Sequence, residues 1–139
     1  MKSTYTHLVV FSVQRKELDE AANKRAHTIA VSTLHRRKVA PVQAIGMYEG
    51  VKEDSIILVG HNLEEHERNK EIAAHYSAFY NQECYLEIHH DGAGVLHYTP
   101  RMNKEDVYIG QVRFIEKDQT KGLAAYTLIP HTNKAIICG

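Results

Sequence analysis

The chain has 139 residues, with 17 basic and 17 acidic side chains and no net charge when its ten histidines are neutral. That length suits one domain with a core of its own, read as 1–139 with a core over about 4–99 and a C-terminal extension over about 100–139. The even charge excludes the basic surplus that binding to nucleic acid or an anionic membrane demands, and no apolar run approaches a membrane span.

Thr4 to Val13 reads as the first strand, and the consecutive apolar run Leu8-Val9-Val10-Phe11 predicts cover on both faces. Glu17 to about His35 reads as a helix. Leu18, Ala22, Ala26 and Ile29 recur at helical spacing, with Glu17, Asp19 and Glu20 at its start and His35, Arg36, Arg37 and Lys38 at its end. Pro41 blocks continuation. Val42 to Glu49 is a second strand, Gly50 to Asp54 a turn, and Ser55 to His61 a third strand. Asn62 reads as an N-cap, with Glu65 closing a capping box, for a second helix over Leu63 to Tyr80 whose inner face carries Ile72, Tyr76 and Phe79. Glu83 to His90 is a fourth strand, Asp91-Gly92 a hairpin signal, and Val95 to Thr99 a fifth strand. The order βαββαβ predicts an α+β, ferredoxin-like sandwich with additional C-terminal β-strands. Those extra strands are Val107 to Glu116, then, after the polar turn Lys117 to Gly122, short edge strands over Ala124 to Ile129 and Ala135 to Cys138.

The tip of the second and third strands, Tyr48-Glu49-Gly50-Val51-Lys52-Glu53-Asp54-Ser55, gathers carboxylates beside an apolar strand. Such groups are costly there unless solvated, paired or used, and a site for a cationic substrate needs them. Other candidates are weaker. His89, His90 and His97 flank one hairpin, but alternation lets only one of the first two join His97, and two histidines with no third ligand at a recognised spacing make a weak zinc signal. His27 reads as a core histidine and Cys84 as a small core residue. The two cysteines are no disulfide framework, and no charged segment followed by an apolar one opens the chain, so a cytoplasmic protein is expected. Neither a phosphate-binding P-loop nor a Gly-x-Gly-x-x-Gly run is present.

Four segments then fall into one register: Phe11-Ser12-Val13-Gln14-Arg15 with Leu18 and Asn23; His27 with Val31-Ser32-Thr33-Leu34; Gly46-Met47-Tyr48 leading to Glu53; and Gln82-Glu83-Cys84-Tyr85-Leu86 with Ala93-Gly94-Val95-Leu96-His97-Tyr98. Together, over about residues 7 to 98, they resemble the small bacteriophage enzymes that destroy S-adenosylmethionine, the SAM lyases, long called SAM hydrolases. The resemblance implies a homotrimer with active sites between subunits and a reaction giving 5′-methylthioadenosine and L-homoserine lactone with no metal or cofactor. It also implies an anti-restriction role in an infected bacterial cytoplasm through depletion of the methyl donor.

The resemblance makes Glu53 the residue that anchors the substrate ammonium, against the plainer reading of a solvated turn acid. Tyr48 either flanks the adenosine or fills a strand face. Glu49 is an electrostatic neighbour of Glu53 or a solvent-facing acid. Ser12 sits at a strand end, a usual place for ligands, or serves loop hydrogen bonding; Arg15 reads as a surface residue. The competing reading is a trimeric ferredoxin-like module that binds an adenine nucleotide, or regulates, without catalysis.

Overall fold

The computed structural model of the protein describes residues 6–48, 50–129 and 132–138. The chain runs β1 (His7–Phe11), α1 (Glu20–Arg36), β2 (Pro41–Tyr48), β3 (Val51–Gly60), α2 (Leu63–Phe79), β4 (Cys84–Ile88), β5 (Ala93–Tyr98), β6 (Val107–Glu116), β7 (Ala125–Ile129) and β8 (Lys134–Cys138). The strands close into an antiparallel barrel in the order β1-β3-β2-β7-β8-β6-β5-β4.

The expected ferredoxin-like sandwich is therefore corrected. An open sheet would leave β2 and β4 as edges with unpaired backbone groups. Here β7 pairs with β2 and β5 with β4, while β6 and β8 complete the circuit. The C-terminal strands β6, β7 and β8 are not edge additions but three of the eight staves of a barrel wall, and closure removes the edges altogether.

Strand alternation sorts the apolar residues into two cores. Val9 and Phe11 of β1 and Ile56 and Leu58 of β3 point outward, where they pack with Ala30 and Leu34 of α1 and Ile72 and Ala73 of α2. Val10, Ala44, Ile57, Ile88 and Ile136 point inward and fill the barrel with Leu8, Val59, Leu86, Val112 and Ile129 around them. The consecutive apolar run in β1 is thus covered on both faces, as its pattern predicts.

Both helices match the expected inner face only in part: Ala26, Ile72 and Tyr76 pack into the outer core, whereas Ile29 and Phe79 are exposed. Asp19 is the N-cap of α1, accepting from the Ala22 N–H at 2.8 Å, so the helix starts three residues late and Leu18 lies outside it. Its buried residues are Asn23, His27, Ala30 and Leu34, whereas Ile29 is exposed. Asn23 is buried because its side chain clasps the backbone of Arg15, accepting from the N–H at 2.8 Å and donating to the carbonyl at 3.0 Å. In α2, Asn62 caps the Glu65 N–H at 2.8 Å as expected, but the Glu65 carboxylate reaches the N–H of His61 rather than that of Asn62. Its buried face runs through His66, Asn69, Ile72, Ala73 and Ser77, and leaves Phe79 exposed.

Candidate active site

Of the predicted turn over Gly50 to Asp54, all but Gly50 is strand. β2 and β3 stay paired out to Tyr48 and Val51, and Gly50, at φ +83°, supplies the left-handed conformation a tight reversal needs. The consequence is that Glu53 sits on a rigid strand, opposite Gly46. By alternation it shares the inward face with Ser55 and Ile57, while Asp54 shares the outward face with Ile56. Glu53 and Asp54, adjacent in sequence, therefore belong to different surroundings.

The inward face near this end of the barrel is polar. Ser12 and Ser55 are buried there, and the Ser12 hydroxyl donates to the Asp54 carbonyl at 2.8 Å while accepting from the Gln14 N–H at 3.0 Å. Gly46 leaves room: a Cβ there would stand 3.0 Å from the Ser55 Oγ. Burial pushes the Glu53 carboxyl above the usual glutamate range, with Asp54 adding to the rise, and the Ser12 hydroxyl and Lys16 ammonium hold part of it back. Cys84 is a half-buried free thiol. Burial raises its pKa, and the charges of Glu83 and Glu53 push the same way.

Gln14 braces this arrangement. Its side-chain amide donates to the Lys52 carbonyl at 3.4 Å and accepts from the Asp54 N–H at 3.1 Å, bonding the backbone on both sides of Glu53. Gln82 donates in turn to the Gln14 carbonyl, and Thr99 donates to the Gln82 carbonyl at 2.7 Å. The exits of β1 and β5 and the start of β3 are thereby tied together around one carboxylate.

Of the predicted site residues, Ser12 and Glu53 come together. Glu49 and the side chain of Tyr48 lie outside the described residues; the backbone of Tyr48 pairs with Val51 and Ala125. Arg15 is half-exposed and pairs with Glu17 at 3.1 Å. Two shallow depressions of the described residues do not include Glu53 in their lining. One runs between α1 and β2–β3 along Lys24, His27, Gln43 and Asp54, where Lys24 and Asp54 pair at 2.7 Å. The other runs from Tyr98 to Glu105. His27 is buried as expected, with its Nε2 3.0 Å from the Gln43 Oε1.

Sequence reasoning missed a second glutamate. Glu87 is almost fully buried on the outward face of β4. One of its oxygens lies 2.7 Å from His66 Nε2, 3.5 Å from Lys70 Nζ and 3.6 Å from His89 Nε2, and the other lies 2.6 Å from His97 Nε2. Burial alone would raise its pKa, but the bonds from His97 and His66 and the charges of Lys70 and His89 outweigh it and bring it down to about 2. The signal was available: an acid inside the otherwise apolar strand Cys84–Ile88 must have partners.

These features define a closed antiparallel barrel with two outer helices and one half-buried carboxylate facing inward beside hydroxyl groups. The S-adenosylmethionine lyase family model matches residues 9–138, nearly the whole chain and well into the C-terminal third. The protein belongs to that family and is an enzyme that degrades S-adenosylmethionine. No curated protein matches the chain. Membership in a family of enzymes removes the ground for a non-catalytic nucleotide-binding module.

Proposed function

We propose that the protein folds S-adenosylmethionine against Glu53 and lets the substrate react with itself. The substrate carboxylate attacks its own γ-carbon. A carbon–oxygen bond forms, the carbon–sulfur bond breaks, and the electron pair of the broken bond goes to the sulfonium sulfur. The products are neutral 5′-methylthioadenosine and L-homoserine lactone, and no proton, water or external nucleophile enters. The positive sulfur is already a good leaving group. What the protein must supply is conformation, and a near-attack geometry is worth roughly 7–11 kcal/mol of barrier.

The observation that carries this reading is a carboxylate held on a braced strand in a partly desolvated place. Ionised Glu53 offers the substrate ammonium a partner stronger than water does. With the ammonium anchored, the carboxylate on the same carbon is left free to attack; among the described residues the Lys16 charge acts on Glu53. Ser12 lines this end of the barrel, and Glu49 and Tyr48 complete the proposed set of substrate-binding residues. Adenine has no phosphate to satisfy, in keeping with the absence of a phosphate loop in the sequence.

Neither depression of the described residues has Glu53 in its lining, which favours a homotrimer in which a neighbouring subunit completes each pocket. Exposed Val51, two residues from Glu53, suits such a contact. Depletion of the methyl donor inside an infected bacterium would serve a phage against methyl-dependent restriction.

The test is to incubate purified protein with S-adenosylmethionine in ¹⁸O-water and follow products by mass spectrometry. Homoserine lactone should appear first, with no label in its ring. Homoserine appearing first, with ¹⁸O in its hydroxyl group, would mean that water attacks and would overturn the intramolecular route. Light scattering should return three times the monomer mass.

A further inference from the structure

We propose that His66, Glu87 and His89 form a binding site for a divalent transition-metal ion of the zinc type, on the outer face of the barrel beneath α2. The two histidine nitrogens and one carboxylate oxygen all lie within 4.8 Å of one another. Glu87 Oε2 is 2.7 Å from His66 Nε2 and 3.6 Å from His89 Nε2. Ligand atoms around a tetrahedral zinc stand roughly 3.3 Å apart, so the observed spacings bracket what the ion requires. Two imidazoles and a carboxylate are a known zinc ligand set that leaves a fourth position open. The softer nitrogen donors disfavour magnesium and calcium.

The fold explains the convergence. Glu87 and His89 are two residues apart along one strand direction and so project to the same side. His66 comes from the first turns of α2, packed across that face, and its side chain is 1 % exposed. The carboxylate ligand is itself hydrogen-bonded from behind, as ligands in a metal site usually are. His97 Nε2 lies 2.6 Å from the remaining oxygen of Glu87, and its Nδ1 lies 2.9 Å from Asp106. Lys70 is the one opposing charge, 3.5 Å from the carboxylate. It has a second partner, Glu67, at 3.8 Å, and can swing there when the ion binds. The side chain of His89, 41 % exposed, gives the ion its way in.

The experiment titrates metal-free, tag-free full-length protein with zinc chloride by calorimetry, and with cobalt(II) by visible absorption. One ion per chain and the intense bands of tetrahedral cobalt are expected. His89→Ala, at a half-exposed position that should not disturb folding, should weaken zinc binding by about tenfold or more, and Glu87→Gln by at least as much. His75→Ala, at an exposed histidine elsewhere on α2, should leave it unchanged. Absence of saturable binding, or affinity that survives His89→Ala in folded protein, would overturn the site and leave the cluster as a buried ion-pair network. None of these readouts depends on S-adenosylmethionine cleavage, so they stand or fall apart from the proposed reaction.

Discussion

Glu53 and Glu87 are both carboxylates withdrawn from water, yet they are driven in opposite directions. Glu53 faces inward near the barrel end, with a serine hydroxyl and a more distant lysine for company, and its pKa rises. Glu87 faces outward beneath α2, with three imidazoles and an ammonium, and its pKa falls to about 2. Desolvation acts on both; partners decide the sign. A carboxylate whose partners are already supplied by the fold is committed to structure or to a bound ion. One left short of partners is available to a cation brought from outside. This is the physical reason to place the substrate at Glu53.

The comparison can be broken by substitution. Glu87→Ala should cost the most, about 3–5 kcal/mol of folding stability, because it strands buried charge-bearing partners. Chemical denaturation measures it, and a loss under about 1 kcal/mol would mean the cluster is solvated. Glu53→Gln should lower kcat/KM for S-adenosylmethionine by about 10²-fold while the fold survives, the scale of a lost desolvated charge partner. Chromatography of methylthioadenosine checks this, and full turnover would end the assignment. Gln14→Ala should follow. It removes two hydrogen bonds to the β3 backbone, each worth about 1 kcal/mol, and should reduce both melting temperature and turnover, with Gln14→Glu failing to restore them because it loses the donor to Lys52.

The smallest effect sharpens the contrast by its sign. Because the folded-state pKa of Glu53 lies above its unfolded value, the folded state holds more protons between the two. Stability is then lost as pH rises through that window, and the cost is complete above the folded pKa. Glu53→Gln should therefore be slightly more stable than the parent at neutral pH, with the gain vanishing as pH falls below the ordinary glutamate pKa. Paired thermal melts across that range check it. The KM of the parent enzyme should rise over the same fall in pH, as the anchor for the ammonium is neutralised.

The helix N-cap at Asn62, the two-faced apolar run in β1 and the order of the first elements were all legible in the sequence, because each rests on neighbours a few residues apart. The resemblance over four segments carried the family, since substrate handling constrains ordered residues along much of the chain. Barrel closure was not legible. Whether Ala125–Ile129 pairs with β2 or extends an open edge depends on strands some eighty residues apart in sequence, and local pattern is the same in both cases. The same holds for Glu53, which reads as a turn acid until pairing out to Val51 makes it a strand residue, and for Glu87, whose partner His66 arrives on a helix 21 residues earlier. Local spacing, then, determined the elements, and the resemblance of four segments pointed to the enzyme family. Long-range pairing alone decided which of the two carboxylates the fold supplies with partners.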